Sequence, residues 1–129
     1  MIVDTSALIA VLFAEDDADV YAGALDTADS CRMSAATFLE ACIVVDCETR
    51  QPASRQLDTF IRSVPIIIEP VTEEQAHIAR QAYADFGKAR HKAGLNFGDC
   101  FAYALARVTG EPLLFKGNDF RHTDVRSAL

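Results

Sequence analysis

The chain begins with MIVDTSALIAVL (residues 1–12), a short apolar run that ends at Asp4 and passes directly into a segment of helical composition. We predict a strand over 2–4 and a helix over about 5–13. An Asp at such a joint lies at the carboxyl end of its strand, and in an open parallel sheet that edge is where ligands bind. Asp4 can also cap the helix with its side chain, and the two roles are compatible.

Strands and helices alternate along the rest of the chain. The further predicted strands lie at 31–34, 66–71, 112–116 and 124–126, and the further predicted helices lie at 16–28, 36–49, 52–62, from 72 onward and at 96–108. Strands that are separated by helices pair in parallel through right-handed crossovers. The sequence therefore predicts an α/β fold, a three-layer α/β/α sandwich with a central, mainly parallel sheet of about five strands. Because the chain has 129 residues, we expect a single domain over 1–129.

A second acidic residue, Glu40, lies inside the apolar segment TFLEACIVV (residues 37–45). A helix of this composition is buried on most of its circumference. The neighbouring helical positions hold no basic residue, so no local ion pair can compensate the charge. Glu40 either points to solvent from a narrow polar strip or serves a site.

Two more acids follow Asn and Gly residues, which commonly mark turns. Asp99 comes three residues after Asn96, at the start of a second strongly apolar helix, and this spacing is that of a capping box. Asp119 lies in the segment GNDF (117–120) that follows the predicted strand 112–116, where an Asp is commonly an ordinary turn residue. Since parallel strands all point one way, Asp4 and Asp119 are expected at one edge of the sheet. Helices that start or pass there can add the other two acids.

Several carboxylates at one edge of a sheet have a specific chemical use. Without a cation they would repel one another, and some of their pKa values would rise. Mg²⁺ prefers oxygen ligands, and such ions activate the attacking water and stabilise the departing oxygen of a phosphodiester. We therefore predict a catalytic site that holds Mg²⁺, with Mn²⁺ as the alternative. Its candidate residues are Asp4, Glu40, Asp99 and Asp119.

Composition indicates which class of protein carries this site and where in the cell it is expected. Half of the residues are hydrophobic and 24% are charged, which is typical of a globular protein. No apolar run reaches membrane-spanning length, and the N-terminus lacks the features of a secretory signal. We expect a cytoplasmic protein that does not enter a membrane.

The charge distribution bears on nucleic-acid binding. A net charge of −7 excludes strong binding through a general basic field. Basic residues nevertheless flank the candidate acids, before Asp99 and around Asp119, and could hold phosphates there. The alternative is that they only solubilise a helix end and a surface turn. The predicted substrate-binding residues are Lys88, Arg90, Lys92, Lys116 and Arg121.

Four segments together carry a resemblance to a known family. They are residues 2–8, 38–40, LNFGDCFAYA (95–104) and PLLFKGNDF (112–120). In order, spacing and total length they resemble the PIN-domain ribonucleases, and within these the VapC-type toxins of bacterial toxin-antitoxin pairs. The third segment is the most specific of the four.

The resemblance implies a magnesium-dependent endoribonuclease that cleaves RNA. It also implies a homodimer that is held inactive by a small cognate antitoxin protein. Transferred by position, Asp4 and Asp99 are the principal metal ligands, Glu40 completes the cage and orients the attacking water, and Asp119 is the weaker transfer. Relatives often have a hydroxyl residue and an Asp where this chain has Phe115 and Gly117, which leaves a second metal position open.

Two other functions compete with this interpretation. The first is a phosphoacceptor receiver-type signalling module, whose length and acidity are similar. Such modules have paired acids after the first strand, whereas Thr5 follows Asp4 here, and only Lys116 matches their late Lys. The second is a PIN-like domain that has lost catalysis and serves as a binding partner.

Overall fold

The computed structural model describes residues 1–48 and 54–129. The strands are β1 (Ile2–Val3), β2 (Cys31–Ser34), β3 (Ile66–Glu69) and β4 (Leu113–Leu114). The helices are α1 (Thr5–Leu12), α2 (Ala18–Thr27), α3 (Ala35–Glu48), α4 (Ser54–Ser63), α5 (Glu73–Phe86) and α6 (Asp99–Thr109), followed by a 3₁₀ helix (Phe120–His122). The predicted end of α3 at 49 and the predicted start of α4 at 52 lie outside the described residues.

The strands form a parallel sheet in the order β3-β2-β1-β4. Successive residues of a strand face opposite sides of a sheet, and the core divides accordingly. Ile2 and Leu113 pack among residues of α5 and α6, whereas Val3 and Leu114 pack among residues of α1 to α4. This arrangement confirms the predicted three-layer α/β sandwich.

The sheet has four strands in the described part of the chain, where the sequence predicted about five. The expected strand at 124–126 is wrong. A single parallel bridge joins Leu113 to Ser127 instead. Asp124 is drawn to α6, because its carboxylate accepts hydrogen bonds from Tyr103 at 2.6 Å and from Arg107 at 2.7 Å.

Several predicted elements are shorter than expected, including the strand predicted at 112–116, which covers only Leu113–Leu114, and two of them are shortened for local reasons. β3 ends at Glu69 because the next residue is a proline, which has no N–H to donate to a strand ladder. α6 begins at Asp99 and not at 96, because 96–98 form the turn that caps it. Within the described ranges, no helix combines the length and the apolar character needed to cross a bilayer.

Candidate active site

Asp4 joins the end of β1 to the start of α1. Its Oδ2 atom accepts hydrogen bonds from the Ser6 backbone N–H at 3.0 Å and from the Ser6 hydroxyl at 2.6 Å, so the predicted capping role is confirmed. Only 4% of Asp4 is exposed. Burial raises the pKa of this carboxyl, the bonds from Ser6 oppose that rise, and the charge of Glu40 adds to it.

Asp99 sits in a reciprocal cap at the start of α6. The Asn96 backbone N–H donates to Asp99 Oδ2 at 2.7 Å, and the Asp99 N–H donates to Asn96 Oδ1 at 3.0 Å, which confirms the predicted capping box. Burial raises the pKa of Asp99 to about 7, against the lowering effect of the Asn96 hydrogen bond. The negative charges of three other carboxylates contribute to the rise, those of Asp4, Asp119 and Glu40.

Glu40 reaches the same site from α3. Its Oε2 atom accepts a hydrogen bond from the Thr5 hydroxyl at 2.7 Å. Its Oε1 atom lies against Gly98, where an added Cβ would approach to 2.2 Å. The carboxylate therefore lies between the start of α1 and the turn before α6, and does not simply extend into solvent.

Asp119 occupies the rim of the site. It is exposed and precedes the 3₁₀ helix without capping it through its side chain. Its charge still raises the pKa of Asp99, so it lies near enough to interact with that group. The structure thus brings carboxylates from positions 4, 40, 99 and 119 around one space at the carboxyl edge of the sheet.

In the part of the chain that the structure describes, the four acids have no compensating cation. Across 1–48 and 54–129, none of them forms an ion pair with a Lys, an Arg, a His or the N-terminus. In the same ranges no three His, Cys, Asp or Glu side chains are arranged closely enough to hold a metal ion. The carboxylates are neighbours without forming a closed ligand set, and the metal roles of Asp4 and Asp99 stay predictions.

Two hydroxyl residues orient these acids, a role that was not predicted from the sequence. Thr5 anchors Glu40, and Ser6 anchors Asp4. Ser6 Oγ also accepts the backbone N–H of Lys116 at 2.9 Å, which ties the loop after β4 to the first helix. The sequence feature that could have indicated this role is the presence of two polar residues, Thr5 and Ser6, at the start of an otherwise apolar helix.

The predicted RNA-binding cations fall into two groups. Those that precede α6 or lie in the 3₁₀ helix are exposed: Lys88, Arg90, Lys92 and Arg121. Lys116 differs, because its ammonium group binds the carboxylates of both Glu15 and Asp17. Its charge is already neutralised, so a phosphate would have to compete with two carboxylates.

Comparison with known proteins assigns the class. The family model for the PIN domain matches residues 1–126. The chain belongs to the PIN-domain family, and within it to the VapC-type ribonucleases. Membership of this family replaces the receiver-type alternative.

Individual relatives agree with this assignment. VapC ribonuclease Mb0625 of Mycobacterium bovis and ribonuclease VapC28 of Mycobacterium tuberculosis are each 58% identical over 130 residues, which cover 100% of this chain and 98% of each relative. Ribonuclease VapC of Mycolicibacterium smegmatis is 48% identical over 125 residues, 97% of either chain.

A solved structure supports the fold independently. VapC20 of Mycobacterium tuberculosis, described as a sarcin-ricin loop cleaving toxin, matches with a TM-score of 0.78. The match covers 96% of this chain and 95% of that one at 19% identity, so it shows a shared fold and nothing more specific.

Proposed function

We propose that the protein is the toxin of a toxin-antitoxin pair, an endoribonuclease that hydrolyses RNA phosphodiesters with the help of a divalent metal ion. One observation carries this proposal. Burial raises the pKa of Asp99, the carboxylates of Asp4, Glu40 and Asp119 raise it further, and none of these four acids forms an ion pair with a cation in the described residues. A bound divalent cation would relieve this repulsion.

The donor set fits a hard cation. The four side chains offer only oxygen atoms, which suits Mg²⁺ or Mn²⁺ and does not suit zinc. Asp4 and Asp99 would hold the ion, and Glu40 would bind it directly or through water. When bound, such an ion supplies an activated water and stabilises negative charge on the phosphate.

The remaining roles belong to the protein. Thr5, Ser6 and Asn96 each fix one oxygen of a carboxylate, and the other oxygen of that carboxylate is still a potential ligand. Glu40 would orient the water that attacks phosphorus. The exposed cations Lys88, Arg90, Lys92 and Arg121 would hold phosphates of the RNA on either side.

Residues 115–119 favour one principal metal. Phe115 is buried and packs against Phe120, with ring centroids 5.1 Å apart. Gly117 has no side chain, so neither position supplies a ligand. Asp119 is the one acid in this segment, and we propose that it assists from the rim.

The proposed partners follow from the VapC type and from charge. A small cognate antitoxin with a basic segment would be attracted to a protein of net charge −7. Leu39 and Ile43 of α3 are exposed beside Glu40 and could contact it. We further propose that the protein forms a homodimer and acts in the cytoplasm.

Cleavage of RNA in the presence of Mg²⁺ or Mn²⁺ tests the proposal. The wild type should cut RNA internally, and cleavage should stop when EDTA is added. The cleavage rate of Asp4→Asn should be more than about 100-fold lower, because loss of a residue that only supports a metal ligand typically costs up to about 100-fold. Asp29→Asn is the control, because Asp29 is an exposed acid before β2, at the opposite edge of the sheet. Rates at background for both wild type and Asp4→Asn would favour a PIN-like domain without catalysis, and equal rates above background would contradict the role of Asp4.

Gly98 provides a separate prediction about the position of Glu40. Its φ of −63° and ψ of −47° are open to any residue, so glycine is required here for space and not for conformation. The added Cβ of Gly98→Ala would displace the Glu40 carboxylate. We expect cleavage to fall roughly 10- to 100-fold, as for loss of a residue that positions a ligand. The melting temperature should not fall, because a flexible side chain can move away.

Gly23→Ala is the matched control for this variant. Gly23 lies in α2, and an added Cβ there would meet nothing within 4 Å. Cleavage by Gly23→Ala should equal that of the wild type. Wild-type cleavage by Gly98→Ala would show that the contact between Gly98 and Glu40 does not matter for the reaction.

A further inference from the structure

A groove of about 640 Å³ runs between α5 and the start of α6, next to the acidic site. Small-ligand sites have volumes of roughly 300–1,000 Å³, so the groove is of a suitable size. Tyr83, Phe97 and Phe101 give it aromatic walls, Arg80 and Lys88 line it as cations, and Asn96 also borders it.

Phe97 is the unusual member of this lining. It is 77% exposed, although it lies two residues before the buried Asp99. Its ring packs edge to face against the ring of Phe101, with the ring centroids 4.9 Å apart. Together with Tyr83 and Phe101 it lines one apolar groove, and a contiguous exposed apolar surface indicates contact with a ligand or a partner.

The two cations of the groove are available for an anion. Neither Arg80 nor Lys88 forms an ion pair with any residue in the described ranges, in contrast to Lys116. Both are exposed. Aromatic surface flanked by free cations is the combination by which proteins bind single-stranded nucleic acid, because bases stack on the rings and phosphates meet the charges.

Asn96 connects the groove to the acidic site. It borders the groove, and it exchanges two hydrogen bonds with Asp99. A nucleotide in the groove would therefore lie next to the phosphodiester at the carboxylates.

We propose that the groove is a nucleobase-binding subsite, in which an unpaired base of the RNA substrate stacks on Phe97 while Arg80 and Lys88 hold adjoining phosphates. The inference rests on the proposed ribonuclease function and adds that the enzyme selects an unpaired nucleotide beside the cut. A second copy of the chain or a protein partner could also cover the aromatic rings. The two exposed cations next to those rings match the phosphates of RNA, whereas a contact between two copies would have to bury both charges, so RNA is favoured.

Binding of two labelled strands tests this subsite. One is a short single-stranded oligoribonucleotide, and the other is an abasic strand with the same phosphodiester backbone. Both are titrated with the Asp4→Asn protein, which should not cut them, and affinity is read from fluorescence anisotropy. Adding Phe97→Ala should weaken binding of the base-bearing strand by roughly 5- to 150-fold, the range for stacking one base, and should leave the abasic strand unaffected.

Three further variants separate stacking from other effects. Phe97→Trp should restore binding, because it keeps an aromatic face. Arg80→Gln with Lys88→Gln should weaken both strands alike. Val20→Ala removes an exposed apolar side chain on α2 and should change neither.

The outcomes distinguish this inference from the proposed function. If the wild type cleaves RNA and Phe97→Ala binds and cleaves normally, the subsite is wrong and the ribonuclease proposal stands. If Phe97→Ala binds RNA normally but changes the sedimenting mass, the groove is a surface between two copies and the subsite is again wrong. If the wild type cleaves nothing while base-dependent binding needs Phe97, the subsite stands and the cleavage proposal falls.

Discussion

Asp99→Asn is expected to abolish RNA cleavage and, in the same protein, to stabilise the metal-free fold above pH 7. Folding raises the pKa of Asp99 from its ordinary 3.8 to about 7, chiefly through burial. Between these two pH values the folded state keeps a proton that the unfolded state has lost, so stability falls as pH rises. A change of this size corresponds to about 4 kcal/mol, lost in full above pH 7.

Asn at position 99 removes this penalty because it carries no charge to bury. Its side-chain oxygen can still accept the hydrogen bond from the Asn96 backbone N–H, so the cap at the start of α6 is kept. We expect the melting temperature of the variant to exceed that of the wild type by at least about 5 °C near pH 8. The difference should shrink toward zero below pH 4.

Thermal unfolding in EDTA over this pH range is the measurement. Asp29→Asn is again the control and should follow the wild type at every pH, because Asp29 is exposed. A melting temperature for Asp99→Asn at or below that of the wild type near pH 8 would show that Asp99 is not a strained, buried carboxylate.

Divalent metal is expected to stabilise the wild type strongly and the site variants hardly at all. A ligand that binds only the folded state adds about 2.7 kcal/mol when present at about 100 times its dissociation constant. For this protein the gain should increase from pH 6 to pH 8, because the cation competes with the proton on Asp99. Both Mg²⁺ and Mn²⁺ should act, as expected for oxygen ligands.

Melting curves with and without each metal measure this effect. Asp4→Asn and Asp99→Asn should lose most of the shift, whereas Asp17→Asn should keep it, since Asp17 is occupied by Lys116. If Asp4→Asn gained as much as the wild type, the metal would be bound elsewhere on the acidic surface.

Much of the fold was predictable because its signals are local. Short apolar runs ended at polar residues or proline, and the helices between them required parallel pairing. The expected strand at 124–126 was wrong because the position of Asp124 depends on hydrogen bonds from Tyr103 and Arg107, which are distant in sequence. The expectation of a single domain over 1–129 stays a prediction.

The candidate site divides in the same way. Asp4 and Asp99 stood at recognisable caps, and both caps form as predicted. The neutralisation of Lys116 by Glu15 and Asp17 could not be predicted, because about a hundred residues separate the partners. The space that Gly98 leaves for Glu40 could not be predicted either, because it depends on a contact between α3 and the turn before α6, which are distant in sequence.

The most direct test is a crystal structure of the protein soaked in Mn²⁺, read from the anomalous signal of the ion. The account predicts a peak bound by the carboxylates of Asp4 and Asp99, with Glu40 bound directly or through water. The peak should vanish in Asp99→Asn. A peak at another acidic cluster, or none in crystals at saturating Mn²⁺, would contradict a shared metal site.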